Sequence, residues 1–258
     1  MDRSLWIAAT GMEGQATLTE NIANNLANVN TTSYKKGQVH FQDLFYQTIT
    51  QRGAEGTTNE VPVGITLGTG SRVSGITKDF GVGTLRETSN ELNLAIAGDG
   101  FFEVTLPDGT LAYTRDGRFH RNSEGNLVTE NGYQLTDGIN IQADATNVTI
   151  TPDGAVNVTV NNTTTTTGNI QVARFPNNEG LQPIGDNLYI VTNASGQATK
   201  GTPDQNGRGR LRQGFLEASN VDVVKEMVTM ISAQRAYEVI SKSIKTSDEM
   251  LRTATNIK

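Results

Sequence analysis

From Val221 to Leu251 the chain contains neither glycine nor proline, and Val223, Met230, Tyr237, Ile244 and Leu251 recur at every seventh residue. Met227, Ile231 and Ile240 lie beside that line. Such spacing is a narrow apolar stripe on one helix, of the width a partner helix covers. The opposite end repeats the pattern: Leu5, Met12, Thr19 and Leu26 form a seven-residue series flanked by Ile22, Val29 and the small residues Ala8, Ala9, Ala16 and Ala23. The chain is thus expected to begin and end in amphipathic helix, each roughly 40 to 50 Å long at the usual rise per residue. Neither helix would stay ordered alone with its apolar edge in water. Three arrangements satisfy that edge: a hairpin closing one domain, a pair docked on a folded neighbour, or polymerisation through the ends of many identical chains.

What lies between the helices reads as β-structure. Only 35% of the 258 residues are hydrophobic and 27 are glycine, a composition that suits short strands and many turns. Turn dipeptides Asp108-Gly109, Asp116-Gly117, Glu124-Gly125, Asn131-Gly132, Asp137-Gly138 and Asp153-Gly154 separate short apolar runs. Strands are expected over 92–97, 101–106, 127–129, 147–151, 155–160, 170–175 and 188–191, with edges blunted by the polar run from Asn161 to Thr167. The cluster Phe41, Leu44, Phe45 and Tyr46 reads as a packing anchor, and the polar stretch from Thr48 to Gly64 as an extended arm or hairpin with few internal contacts. Ser219 or Asn220 is the expected N-cap of the last helix.

Chemistry is not encoded in any pattern the chain offers. It has no cysteine, which excludes disulfides, thiol nucleophiles and Cys-ligated metals. His40 and His120 have no second ligand at metal-site spacing, and the aspartates before glycine are engaged by turns. Gly68 and Gly70 lack the further residues of a phosphate loop. No catalytic, cofactor or metal site is expected. A net charge of −6 gives no electrostatic reason for nucleic acid or an anionic membrane as partner. The basic residues Lys200, Arg208, Arg210 and Arg212 read as a solvated face or a contact with another subunit's carboxylates. The N-terminus carries no secretory signal and no run reaches membrane-spanning length, so a route out of the cell would have to work without a cleaved signal.

Longer motifs go further. Ile22-Ala-Asn-Asn-Leu-Ala-Asn28 followed by Asn30-Thr-Thr-Ser-Tyr-Lys35 resembles the N-terminal signature of the bacterial flagellar rod and hook family. The stretch from Glu226 through Ala233-Gln-Arg-Ala-Tyr237 to Leu251 looks like the family's C-terminal signature, and Gly98-Asp-Gly-Phe-Phe-Glu-Val104 and Ala112-Tyr-Thr-Arg-Asp-Gly117 agree with its middle. The residues carrying the signature are Asn24, Asn25, Leu26, Asn28, Thr32, Tyr34, Lys35, Gln234, Arg235, Ala236 and Tyr237. Ser4-Leu-Trp6 and the segment ending Val61-Pro-Val-Gly-Ile65 look most like a rod member. One departure is Ser33, where the family commonly has glycine; serine suits turn positions that do not need a positive φ.

The resemblance implies an α+β chain with N- and C-terminal helices (1–33 and 219–258) paired in a coiled-coil-like inner tube. Between them it implies a segment 34–90 containing an arm at about 46–64, an all-β outer domain over 91–192, and a polar return over 193–218. It implies a structural subunit that polymerises helically into a hollow rod carrying motor torque, with subunit contacts at Leu5, Met12, Ile22, Leu26, Val29, Val223, Met227, Met230, Ile231, Tyr237, Ile244 and Leu251. Residues Gly53, Glu55, Asn59, Val61 and Pro62 of the arm are expected to stiffen the rod. The implied partners are copies of the chain, proximal rod proteins, the hook protein, the periplasmic and outer-membrane ring proteins and the flagellar export apparatus, with no nucleic acid and no membrane insertion. The implied location is the basal body, where the rod crosses the periplasm.

Overall fold

The computed structural model describes residues 3–50, 64–161 and 163–256. It is α+β: two long helices at the ends of the chain and a largely β interior. The residues fall into two compact units. The stiffening residues Gly53, Glu55, Asn59, Val61 and Pro62 lie outside the described residues.

The first unit is formed by helix α1 (Arg3–Ala27), four strands and helix α2 (Val223–Asn256). Strands β1 (Gly37–Asp43) and β4 (Ser71–Lys78) pair antiparallel, as do β2 (Tyr46–Thr50) and β3 (Ile65–Gly68). The two helices pack against each other. They run antiparallel: Asn25, near the end of α1, bonds Glu226 in the first turn of α2, and Gly11 sits against Ile240 further along. The start of α2 is set by Asp222, whose Oδ1 accepts the N–H groups of Val224 at 3.0 Å and Lys225 at 3.2 Å. These are two of the donors that a helix leaves unpaired at its start. The expected caps, Ser219 and Asn220, are therefore displaced by an aspartate that places a negative charge at the helix N-terminus.

The aromatic cluster does not anchor in a core. Phe45 is 91% exposed, Tyr46 is exposed as well, and Phe41 rests its ring on α1 at Gly14, where a Cβ would come within 2.9 Å of it.

The second unit comprises Asn28–Lys36 and Asp79–Val221. Its seven-stranded sheet runs in the spatial order Gln182–Gly185, Leu188–Ile190, Leu111–Thr114, Phe102–Thr105, Gln134–Leu135, Leu127–Thr129 and Phe119–Arg121. Phe102 and Phe119 meet edge to face at 5.1 Å within an apolar core shared with Leu94, Leu127, Leu135, Ile139 and Val156. A second cluster joins Phe101, Tyr113, Phe175 and Tyr189. Three findings sharpen or correct the sequence reading. The polar threonine run lies at a sheet edge as expected, and it does so as a strand, Thr163–Asn169, paired with Ala155–Val160. β-Branched residues favour the pleated conformation even where every side chain is polar. Asp116-Gly117 does not mark the expected hairpin. Leu94 donates its N–H to the Gly117 carbonyl at 3.0 Å, and a Cβ on Gly117 would collide with the Leu94 carbonyl, so the glycine permits close backbone approach. Part of the basic cluster is spent inside the unit: Arg208 is buried and donates to the Thr199 and Lys200 carbonyls, and Lys200 pairs with Glu103.

Candidate assembly interface

The site is built from the helix pair outward. On α2, Glu226, Met230, Ala233, Ile240, Ile244 and Ser247 are buried or half-buried, at alternating steps of three, four or seven residues. This is the inner face. Met230 and Ile244 of the expected stripe belong to it, and on α1 Leu5, Met12 and Leu26 are half-buried while Ile22 is fully buried. Val29, past the end of α1, is half-buried in the second unit.

Other members of the expected contact set point outward. Val223, Met227, Ile231, Tyr237 and Leu251 are all exposed. With them the structure adds Val224 at 72% exposed and Val228 at 63%, both outside the expected set, and Trp6 of the Ser4-Leu-Trp6 motif at 61%. Val224, Val228 and Ile231 follow steps of four and three, so α2 carries a second apolar stripe besides the one turned to α1. The sequence itself carries that four-and-three spacing beside the seven-residue series. Near the start of α1, Leu5, Trp6, Ile7 and Ala9 form an apolar groove with Leu67 of β3. Contiguous exposed apolar surface of this kind marks an interaction face.

The signature asparagines have a local purpose. Asn25 is buried; its Oδ1 accepts the Gly37 N–H at 2.8 Å, and its Nδ2 donates to the Gly37 carbonyl at 3.0 Å and to Glu226 Oε2 at 3.3 Å. Asn21 donates to the same carbonyl at 2.8 Å. One amide thus ties the start of β1 to both helices, and a Cβ at Gly37 would meet Asn21 Oδ1, so any larger residue there has to displace the Asn21 amide. Asn28 Oδ1 accepts the Thr31 hydroxyl at 3.2 Å, and the Thr32 carbonyl accepts Asn187 Nδ2 at 2.9 Å.

In the second unit, Lys35, Arg115 and Glu217 form a buried ionic cluster. Lys35 Nζ donates to Glu217 Oε1 at 2.6 Å and to the Gly81 carbonyl at 2.7 Å, and Arg115 Nε donates to Glu217 Oε2 at 2.8 Å. Burial pushes the Glu217 carboxyl up, but the Arg115 and Lys35 charges, with hydrogen bonds from Lys35 and the Gly83 N–H, outweigh it and hold the group below the usual carboxylate range. Burial, reinforced by the neighbouring guanidinium, lowers the Lys35 ammonium despite its pairing with Glu217. Beside them Tyr34 is buried and Ser33 adopts φ 57°. The expectation of an ordinary serine turn is corrected: the position is left-handed, the conformation that favours glycine.

Comparison with known proteins decides the family. A model described as flagellar hook protein FlgE/F/G D1 domain matches residues 95–158, and one described as flagellar basal body rod FlgEFG protein C-terminal matches residues 212–257. The flagellar basal-body rod protein FlgG of Agrobacterium fabrum is 46% identical over 96% of both chains. That of Borreliella burgdorferi is 46% identical over 100% of this chain and 99% of its own. The chain belongs to the flagellar basal-body rod protein family. The rod protein FlgF of Caulobacter vibrioides is also similar, at 34% identity over 98% of this chain.

In this rod-family chain the C-terminal signature divides by exposure. Gln234, Arg235 and Tyr237 are exposed, whereas Ala236 is half-buried. Together with Val224 and Val228, the exposed members form the part of a rod-family helix that the fold of one chain leaves in solvent. No helix among the described residues is long and apolar enough to cross a membrane.

Proposed function

We propose that this protein is the structural subunit of the distal rod of the flagellar basal body, polymerising through its terminal helices. Likeness at 46% to proteins named FlgG, against 34% to one named FlgF, favours the distal over the proximal rod. The observation that carries the mechanism is the outward apolar stripe Val224, Met227, Val228 and Ile231 on a helix whose other face is already covered by α1. In the polymer α1 and α2 pair in coiled-coil fashion and neighbouring copies cover the outward stripes, with Leu5, Met12, Ile22, Leu26, Val29, Val223, Met227, Met230, Ile231, Tyr237, Ile244 and Leu251 sharing the contacts. Each large apolar side chain so covered contributes about 1.5–3 kcal/mol, so many modest seams sum to a stiff tube.

The tube carries motor torque and leaves a channel for exported subunits. Proximal rod proteins, the hook protein and the ring proteins are its neighbours, and the flagellar export apparatus delivers it without cleavage of a signal. The arm at about 46–64, with Gly53, Glu55, Asn59, Val61 and Pro62, restrains sliding between subunits. Sedimentation velocity of the purified chain at rising concentration tests the reading: long polymers are expected, and a boundary that stays monomeric at every concentration overturns it.

A further inference from the structure

Three stretches of the second unit are gathered at one point: 34–36, 79–81 and 217–220. Each runs on, within two residues, into an element already described: Lys36 into β1, Asp79 back into β4, and Asn220 toward the Asp222 cap of α2. Asn220 holds all three. Its Oδ1 accepts the Lys36 N–H at 2.9 Å, its Nδ2 donates to the Asp79 carbonyl at 2.8 Å and the Gly81 carbonyl at 3.3 Å, and its own N–H reaches the Tyr34 carbonyl at 3.4 Å. Asp79 in turn donates its N–H to the Lys36 carbonyl at 3.0 Å, and the Lys36 and Asp79 side chains pair at 3.5 Å. Immediately behind this ring, Glu217 binds Lys35, Arg115 and the Gly83 N–H, and its carbonyl accepts the Ser33 N–H at 2.8 Å.

We infer that this ring is a mechanical joint and that Asn220 is its positioning residue: load entering along any one of the three stretches is shared with the other two. The inference rests on the rod reading, since only a subunit under torque needs such a joint. The physical argument concerns how bonds fail. A single strand drawn out of a domain peels its hydrogen bonds one after another, whereas three stretches tied side to side must lose their mutual bonds together. Only a side-chain amide offers both an acceptor and donors at this position. Aspartate keeps the acceptor for Lys36 but cannot donate to the two carbonyls, and alanine loses both.

Hydrogen exchange and motility test the joint in the full-length chain. In the wild type the Lys36, Asp79 and Asn220 amides, each bonded across the ring, are expected to open as one unit with a common protection factor. Protection factors scattered over more than about tenfold, the weight of one hydrogen bond at the upper end of its usual range, would overturn the joint. This arm needs no variant. In Asn220→Ala the Lys36 amide should exchange about tenfold faster, the same weight, while the Phe102–Thr105 amides keep their rates; in Asn220→Asp, which keeps the Lys36 acceptor but loses both donors, the Lys36, Asp79 and Asn220 amides should accelerate together. In cells lacking their own distal rod subunit, both variants should restore swimming in dilute medium but lose speed more steeply than wild type as viscosity rises. Equal viscosity dependence overturns the joint. Failure of the wild-type chain to restore swimming at all would instead overturn the rod reading beneath it.

Discussion

Lys35 Nζ lies 2.6 Å from Glu217 Oε1, and neither side chain has any solvent exposure although the two residues are 182 positions apart. A buried pair of this kind contributes little over an apolar substitute, but removing one partner strands the other. Here one carboxylate faces two cations. Glu217→Ala leaves Lys35 and Arg115 opposed without an anion and is expected to cost about 3–5 kcal/mol. Glu217→Gln, which keeps hydrogen-bonding capacity, should cost less. Urea denaturation at concentrations too low for polymerisation measures both.

The same carboxylate sets an acid limit. Its pKa is held below 4.5 in the folded chain, so its stabilisation is fully present above about that pH, the unfolded value, and is lost as pH falls through the lower folded value. The melting temperature of the wild type should therefore fall more steeply than that of Glu217→Gln between pH 5 and the acid end of the transition, bringing the two curves together. Curves that stay parallel would count against the cluster as the source.

Ser33 tests backbone strain against a hydrogen bond. Its φ of 57° costs a residue with a Cβ about 1–2 kcal/mol, while its hydroxyl donates to the Arg115 carbonyl at 2.8 Å. Ser33→Gly relieves the strain and loses the bond, and should leave stability nearly unchanged. Ser33→Ala keeps the strain and loses the bond, and should come out about 1–2 kcal/mol below the glycine variant. Equal stability of the two variants in thermal melts would contradict a left-handed Ser33.

Asn25→Ala removes the amide that pairs both backbone groups of Gly37 and reaches Glu226. Leaving buried backbone groups without this partner is expected to cost about 1–3 kcal/mol. Exchange should accelerate at the Gly37 amide and the start of β1 while the seven-stranded sheet keeps its rates. Unchanged exchange at Gly37 would show that Asn21 and water suffice.

The long periodic elements were legible in the sequence because period and the absence of breakers do not depend on distant partners. The stripe with Met230 and Ile244, the helix-rich ends and most short strands follow from spacing and turn dipeptides. What escaped the reading was settled by tertiary contact. Gly117 looks like a turn residue until Leu94 is brought against it, and Asn220 looks like a helix cap until Lys36 and Asp79 arrive from positions far upstream. Phe45 and Tyr46 look like core, because a sequence does not say whether an apolar cluster is covered by its own chain or left exposed. The ionic cluster is partly visible in sequence: Lys35 and Arg115 each lie inside a motif, whereas their partner Glu217 is marked by no local pattern.

Val224 and Val228 test the central claim most directly, since both are largely exposed in the single chain and are assigned to contacts between copies. The double variant Val224→Asp, Val228→Asp should keep the helix content and melting temperature of the wild-type monomer. Burial of each valine contributes about 1.5 kcal/mol or more, so the concentration at which polymers first pellet should rise at least about a hundredfold. Polymer formed by the double variant at the wild-type concentration, and seen as rods in electron micrographs, would contradict assembly through this face of α2.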